Sequence, residues 1–184
     1  MLDLWTRFID RIQNLKQLPE IYDHGVIRMK EPILSLLNKL RDMEEYLEDF
    51  YRNLSQNEKI KENIALKNTA SILALEEKRH AKLYQELVEQ AEAGETVLVD
   101  HEILSRTDYF LITIKQSVSS YGILSAGQLI AMAIDWENKQ IFLMNQIIDL
   151  LKKEAASDYI LDVFSVLLQE EKRHYENLQP FNGA

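Results

Sequence analysis

Residues 73–87 read LALEEKRHAKLYQEL, and residues 167–178 read LLQEEKRHYENL. The string EEKRH occurs in both, at 76–80 and at 170–174. Around the first copy, Leu66, Ala70, Leu73, Tyr84 and Leu87 recur at steps of three and four; around the second, Ile160, Phe164, Leu167 and Leu178 do the same. That period is the inward stripe of an amphipathic helix. Glu77 and His80 fall on the first stripe, and Glu171 and His174 on the second. A buried carboxylate without a partner costs several kcal/mol or loses its charge. Polar residues at matching places in two apolar stripes therefore call for a common partner.

Two more stripes complete the set. Leu37, Leu40, Glu44, Leu47, Tyr51 and Leu54 mark a helix that starts near Pro32. Ala126, Ile130, Ala133, Glu137, Gln140, Met144, Ile147 and Leu151 mark another, starting near Leu124. Glu44 and Glu137 lie 93 residues apart, and both Glu77/Glu171 and His80/His174 lie 94 apart. The matched spacing suggests a helical hairpin duplicated into a pseudo-two-fold bundle. Lys152 to Asp158 is the turn of the second hairpin, and Pro180 ends its last helix.

The levels of the polar residues locate the first turn. Ser55 and Glu58 have the spacing of a capping box. A turn at Ser55, however, leaves Glu44 much nearer to it than Glu77, splitting the polar level by over ~15 Å at 1.5 Å per residue. A turn over 55–61 removes the conflict, so the capping box is set aside.

On a helix, positions i and i+3 are neighbours. Each Glu-x-x-His can thus turn one carboxylate and one imidazole to the bundle axis, with Glu44 and Glu137 added from the other helices. Four carboxylates balance two divalent ions. Oxygen donors with imidazole suit iron or manganese, and zinc also fits; iron is the choice because such a site tolerates both ferrous and ferric states. The expected ligands are Glu44, Glu77, His80, Glu137, Glu171 and His174. Tyr51, Tyr84 and Gln140 are candidate hydrogen-bond donors to those ligands or core residues. Trp136 reads as packing, His24 and His101 as loop residues, and Glu45, Glu48, Glu76 and Glu170 as solvated.

Composition agrees with long helices: 184 residues hold only 5 Gly and 3 Pro, enough chain for one domain. There is no cysteine, which excludes disulfides, thiolate metal sites and iron–sulfur clusters. A net charge of −9 argues against nucleic acid. The longest uncharged stretch, 116–134, is interrupted by Ser, Gln and Gly and does not read as a membrane span. The first residues lack the apolar run of a signal peptide, and a cytoplasmic location is expected. Residues 2–18 read as a short amphipathic helix ended by Pro19. The chain therefore divides into 1–30, helix and linker, and 31–184, the bundle. Residues 94 to about 122 form a long connection, expected as an irregular crossover along the bundle; Tyr109 to Ile114 is open between extended and helical.

At the four ligand-bearing segments the chain resembles the rubrerythrin group of the ferritin-like superfamily. The segments are MEEYLEDFYRNL (43–54), LALEEKRHAKLYQEL, AIDWENKQIFLM (133–144) and LLQEEKRHYENL. The expected ligands match the general ferritin-like pattern, a Glu from each of two helices and Glu-x-x-His from the other two. The resemblance covers roughly residues 32–178. It implies an all-α, ferritin-like antiparallel four-helix bundle with a long crossover between helices two and three, following the short N-terminal helix. It also implies a di-iron site that reacts with hydrogen peroxide or dioxygen, an electron donor outside the chain, and assembly as a homo-oligomer such as a dimer. Met144 stands where the group has Tyr; Gln140 stands where it has an extra carboxylate, and this second departure weakens the case for the group's peroxidase mechanism. The group usually carries a rubredoxin domain bound by cysteines; these 184 residues hold no cysteine to bind one, so electrons are expected from elsewhere. Three functions follow: an oxidoreductase of peroxidase or ferroxidase type in oxidative-stress protection, an iron-storage protein acting in an assembly, and a non-catalytic scaffold clipped by metal.

Overall fold

A computed structural model describes residues 30–93, 97–118, 125–153 and 158–182. The helix expected over 2–18, His24 and most of the linker lie outside the described residues, as do Leu124 and the centre of the turn after Lys153.

Four long helices form the bundle: α1 (Ile33–Ser55), α2 (Ile64–Ala93), α4 (Ala126–Lys153) and α5 (Asp158–Leu178), with α3 (His101–Val118) between the two pairs. The pairs α1/α2 and α4/α5 pack as hairpins, and the all-α bundle stands as expected. Their apolar seams close into one core that includes Leu36, Leu40, Met43, Leu66, Phe164 and Leu167. Among the described residues no helix is long and apolar enough to cross a membrane.

The first turn falls where the levels require it. Ser55 is the last residue of α1, and its hydroxyl donates to the Arg52 carbonyl at 2.7 Å instead of capping a new helix. Asn63 starts α2: its side-chain oxygen accepts from Leu66 N at 3.1 Å, and its carbonyl accepts from Lys67 N at 2.9 Å. This is an N-cap. Replacing it, Asn63→Ala, is expected to cost about 1 kcal/mol, read as a shift in the denaturant midpoint. Ser125 does the same for α4, its hydroxyl accepting from Gln128 N at 3.2 Å.

The crossover differs from expectation. Residues 101–118 are not irregular but form a full α-helix, and His101 heads it rather than lying in a loop. Ile103, Leu104, Thr107, Phe110 and Ile114 are buried, a helical spacing that the β-branched composition obscured. The Thr107 hydroxyl returns to the Ile103 carbonyl at 2.9 Å, so its burial leaves nothing unpaired. At 1.5 Å per residue, α3 spans about 27 Å, most of the bundle's length. A short antiparallel pair, β1 (Lys30–Pro32) with β2 (Leu98–Asp100), was not expected. It ties the start of α1 to the start of α3 at one end of the bundle.

Candidate metal centre

Glu44 comes from α1, Glu77 and His80 from α2, Glu137 from α4, and Glu171 and His174 from α5. Each lies about eleven to sixteen residues from the hairpin turn of its own pair, so all reach one level of the seam. All six are at most 3% exposed, as is Gln140.

The tightest group is Glu77, His80 and His174, which offer ligand atoms within 4.8 Å of one another. The two imidazoles stand edge to face with ring centroids 5.1 Å apart. His80 Nδ1 lies 3.5 Å from Glu77 Oε2 and 3.7 Å from Glu44 Oε2. His174 Nδ1 lies 2.8 Å from Glu137 Oε1, yet the alignment is not that of a hydrogen bond. Glu171 completes the ring through Tyr84, whose hydroxyl donates to its Oε1 at 3.4 Å.

Among the described residues, one oxygen of each of the four glutamates, His80 Nδ1 and both His174 nitrogens lack a hydrogen-bond partner. An unsatisfied buried polar atom costs about 1–3 kcal/mol. Seven of them sum to roughly 7–20 kcal/mol, as much as the whole stability of a domain, about 5–15 kcal/mol. Protons or cations must answer that cost. The donors are hard oxygens and imidazole nitrogens aimed at one small volume, a set that fits divalent first-row metals.

The electrostatics point the same way. Burial, with the neighbouring Glu171 carboxylate, holds the Glu44 pKa well above the usual carboxylate range. Burial raises Glu137 to about 7 and Glu171 to about 8, the mutual repulsion of the carboxylates adding to it in Glu171. Burial disfavours charged imidazole, but the Glu44 and Glu77 carboxylates outweigh it and push His80 to about 12. Glu137 likewise lifts His174 to about 9. The cluster thus holds protons that a cation would have to displace on binding there.

A rubrerythrin family model matches residues 35–181. The chain belongs to the rubrerythrin family. No curated protein and no solved structure gives a match. The matched stretch contains all four segments that carry the expected ligands, and membership, together with the Glu77, His80 and His174 cluster, supports a di-iron protein without fixing its reaction.

Three neighbours of the centre are now placed. Tyr84 donates to Glu171, as above. Tyr51 is buried against Trp136, with ring centroids 6.0 Å apart, and against Phe50 at 5.2 Å. Burial, followed by the charges of Glu77, Glu137 and Glu44, holds the Tyr51 hydroxyl well above its ordinary pKa. Gln140 Nε2 donates to Glu44 Oε1 at 2.8 Å. The amide therefore grips a carboxylate of the cluster. Gln140→Leu removes that grip and is expected to weaken metal binding about 10-fold, the lower end for loss of a partner that orients a ligand; chelator competition measures it.

Two expectations are corrected in part: Glu48 is not freely solvated, its side chain being 18% exposed and its Oε1 accepting from Arg52 at 2.8 Å. Glu170 is not a freely solvated side chain: it accepts from Arg79 at 3.0 Å and from Arg173 at 2.6 Å, and its pKa, against some burial, is drawn below the ordinary value. The stripe reading sorts residues only as inward or outward, and this contact joins two helices along their outer margin.

Proposed function

We propose that this rubrerythrin-family protein binds two iron ions with Glu44, Glu77, His80, Glu137, Glu171 and His174, and oxidises Fe(II) with hydrogen peroxide or dioxygen. The observation that carries this reading is the set of seven partnerless donor atoms converging from four helices. When bound, iron supplies the electrons and a Lewis acid.

The chain's own part is to bind, orient and exclude water. The four glutamates supply the negative charge that balances two divalent ions. His80 and His174 supply one nitrogen each. Tyr84 holds a Glu171 oxygen and Gln140 a Glu44 oxygen, which limits the freedom of both carboxylates. Leu40, Leu47, Leu73 and Leu167, each at most 2% exposed, keep the site dry above and below. Low dielectric strengthens every charge interaction inside.

The physiological setting is oxidative-stress protection or iron handling in the cytoplasm, with electrons from a separate donor and a homodimer as the working assembly. Manganese or zinc would bind the same donors. Gln140 favours the ferroxidase side of the reading, because its amide is committed to Glu44 where a carboxylate would offer an additional ligand.

The test compares oxidants. Fe(II)-loaded protein is mixed with equimolar hydrogen peroxide or dioxygen, and ferric near-ultraviolet absorbance is followed. Rapid oxidation by either supports the reading, and the ratio of the two rates ranks peroxidase against ferroxidase. Fe(II) no more reactive than free Fe(II) in buffer would leave the scaffold reading standing.

A further inference from the structure

One end of the bundle holds a cavity of about 370 Å³, away from the metal centre. Ile33 and Leu37 of α1, Leu87 and Ala91 of α2, and Val163 and Phe164 of α5 line it. Leu37 and Phe164 stand seven residues from Glu44 and Glu171, so the floor lies about 10 Å along the axis from the level of the cluster. The polar side chains of the lining are Gln90 and Tyr159, both exposed, and the Tyr159 hydroxyl already faces Gln90 Oε1 at 3.5 Å. A water bound in such a space needs two to four polar partners, and these walls offer few. An apolar occupant is favoured instead, because filling the space removes apolar surface from water.

The course of the chain says what that occupant is. The described chain begins at Lys30, three residues before Ile33. Ile33 N donates to the Val97 carbonyl at 2.8 Å, and Val97 also lines the cavity. The chain before Lys30 therefore starts out beside the cavity. Residues 19–29 span up to about 36 Å when extended, so residues 2–18 reach it with slack. Those residues carry the apolar stripe Leu4, Phe8, Ile12 and Leu15. A helix about 10 Å across does not enter a cavity of this size, but the side chains of one apolar face do.

Charge agrees. Residues 2–18 hold three basic side chains, Arg7, Arg11 and Lys16, against two acidic ones, Asp3 and Asp10, in a chain of net charge −9. The lining is flanked by acids: Glu86 precedes Leu87, Asp158 precedes Tyr159 and Asp162 precedes Val163, and all three are exposed. Arg7 and Arg11 lie beside the stripe and suit that rim.

We propose that residues 2–18 of the same chain dock on this cavity, inserting Leu4, Phe8 and Ile12 between α1, α2 and α5 and setting Arg7 and Arg11 against Glu86, Asp158 and Asp162. The segment closes the end of the core. The proposal does not depend on the metal centre.

The test uses the full chain, which has no cysteine of its own. Phe8→Cys is combined with Val163→Cys in the cavity or, as a control, with Ile72→Cys, which is 61% exposed and about 22 Å along α2 from Leu87. Disulfide formation under mild oxidation is followed on non-reducing gels. The 8/163 pair is expected to close within one chain at least about 10-fold faster than the 8/72 pair, because docking raises the effective concentration above that of a mere tether. Equal rates for the two pairs, or 8/163 disulfides that join two chains, would overturn the proposal. Glu86→Lys/Asp162→Lys should slow the 8/163 closure several-fold, and less so in high salt; an unchanged rate would overturn the charge pairing. A second arm needs no cysteines: Leu4→Asp/Phe8→Asp is expected to raise the fluorescence of Nile red several-fold by opening the cavity, and fluorescence equal to wild type would count against docking.

Discussion

Glu171→Ala/His174→Ala protein is expected to bind metal more than 100-fold less tightly than wild type and to hold fewer than two ions per chain. Loss of a group that merely orients a ligand costs about 10–100-fold in affinity; this variant removes two direct donors from one helix. His174 belongs to the tightest donor group of the centre, and Glu171 is the carboxylate that Tyr84 holds. The variant should still fold. It creates a cavity beside Phe164 and Leu167, but it also deletes three of the partnerless buried atoms, so the two effects oppose each other. Anaerobic titration against a competing chelator measures affinity, and circular dichroism checks the fold. Unchanged affinity in a folded variant would remove α5 from the site.

The second large effect is on stability against pH. Glu44, Glu137, Glu171, His80 and His174 all have folded-state pKa values above their ordinary ones. Folded apo-protein therefore holds more protons than the unfolded chain. For such groups the stabilisation is complete below the unfolded pKa and is lost as pH rises through the folded one. The Glu137 and Glu171 contributions fade between about 4.5 and 8, that of Glu44 as pH rises well above the usual carboxylate range, and the imidazole contributions from about 6.5 upward. Apo-protein should thus be most stable near pH 5 and lose several kcal/mol by pH 9, about 10 °C in melting temperature for a chain of this size. Metal-loaded protein should behave oppositely, because metal binding needs the deprotonated donors. Melting curves with a chelator and with zinc(II), at pH 5.5, 7 and 8.5, should diverge as pH rises. Parallel curves would mean that the cluster neither holds the protons nor exchanges them for metal.

Much of this centre is legible in the residues. Each seam is apolar except at one level, and the spacing of three between Glu and His places both on the same face. The level argument also chose correctly against a local signal. Ser55 and Glu58 have the spacing of a capping box, but the match of Glu44 with Glu77 requires the helix to begin later, and Asn63 caps it. Long-range burial of a charged level outweighs one cap of about 1 kcal/mol.

What was not legible depends on packing. Tyr109 to Ile114 carries β-branched and aromatic residues that suit strand and helix alike, and only burial of Phe110 and Ile114 along α1 and α4 decides for a helix. The pairing of 30–32 with 98–100 joins segments too short to show a period of two. Arg79 and Glu170 stand 91 residues apart on different helices, and their contact follows from how α2 faces α5. Gln140 sits on the seam by spacing alone, yet its bond to Glu44 needs the rotation of α4 against α1.

The most direct test of the central claim is a count. Apo-protein is titrated anaerobically with Fe(II), and bound iron is determined per chain after free metal is removed. The account predicts saturation at two irons, with proton release on uptake near pH 7. Saturation at zero or one, or binding with no proton release, would contradict a two-metal centre built from these four glutamates and two histidines.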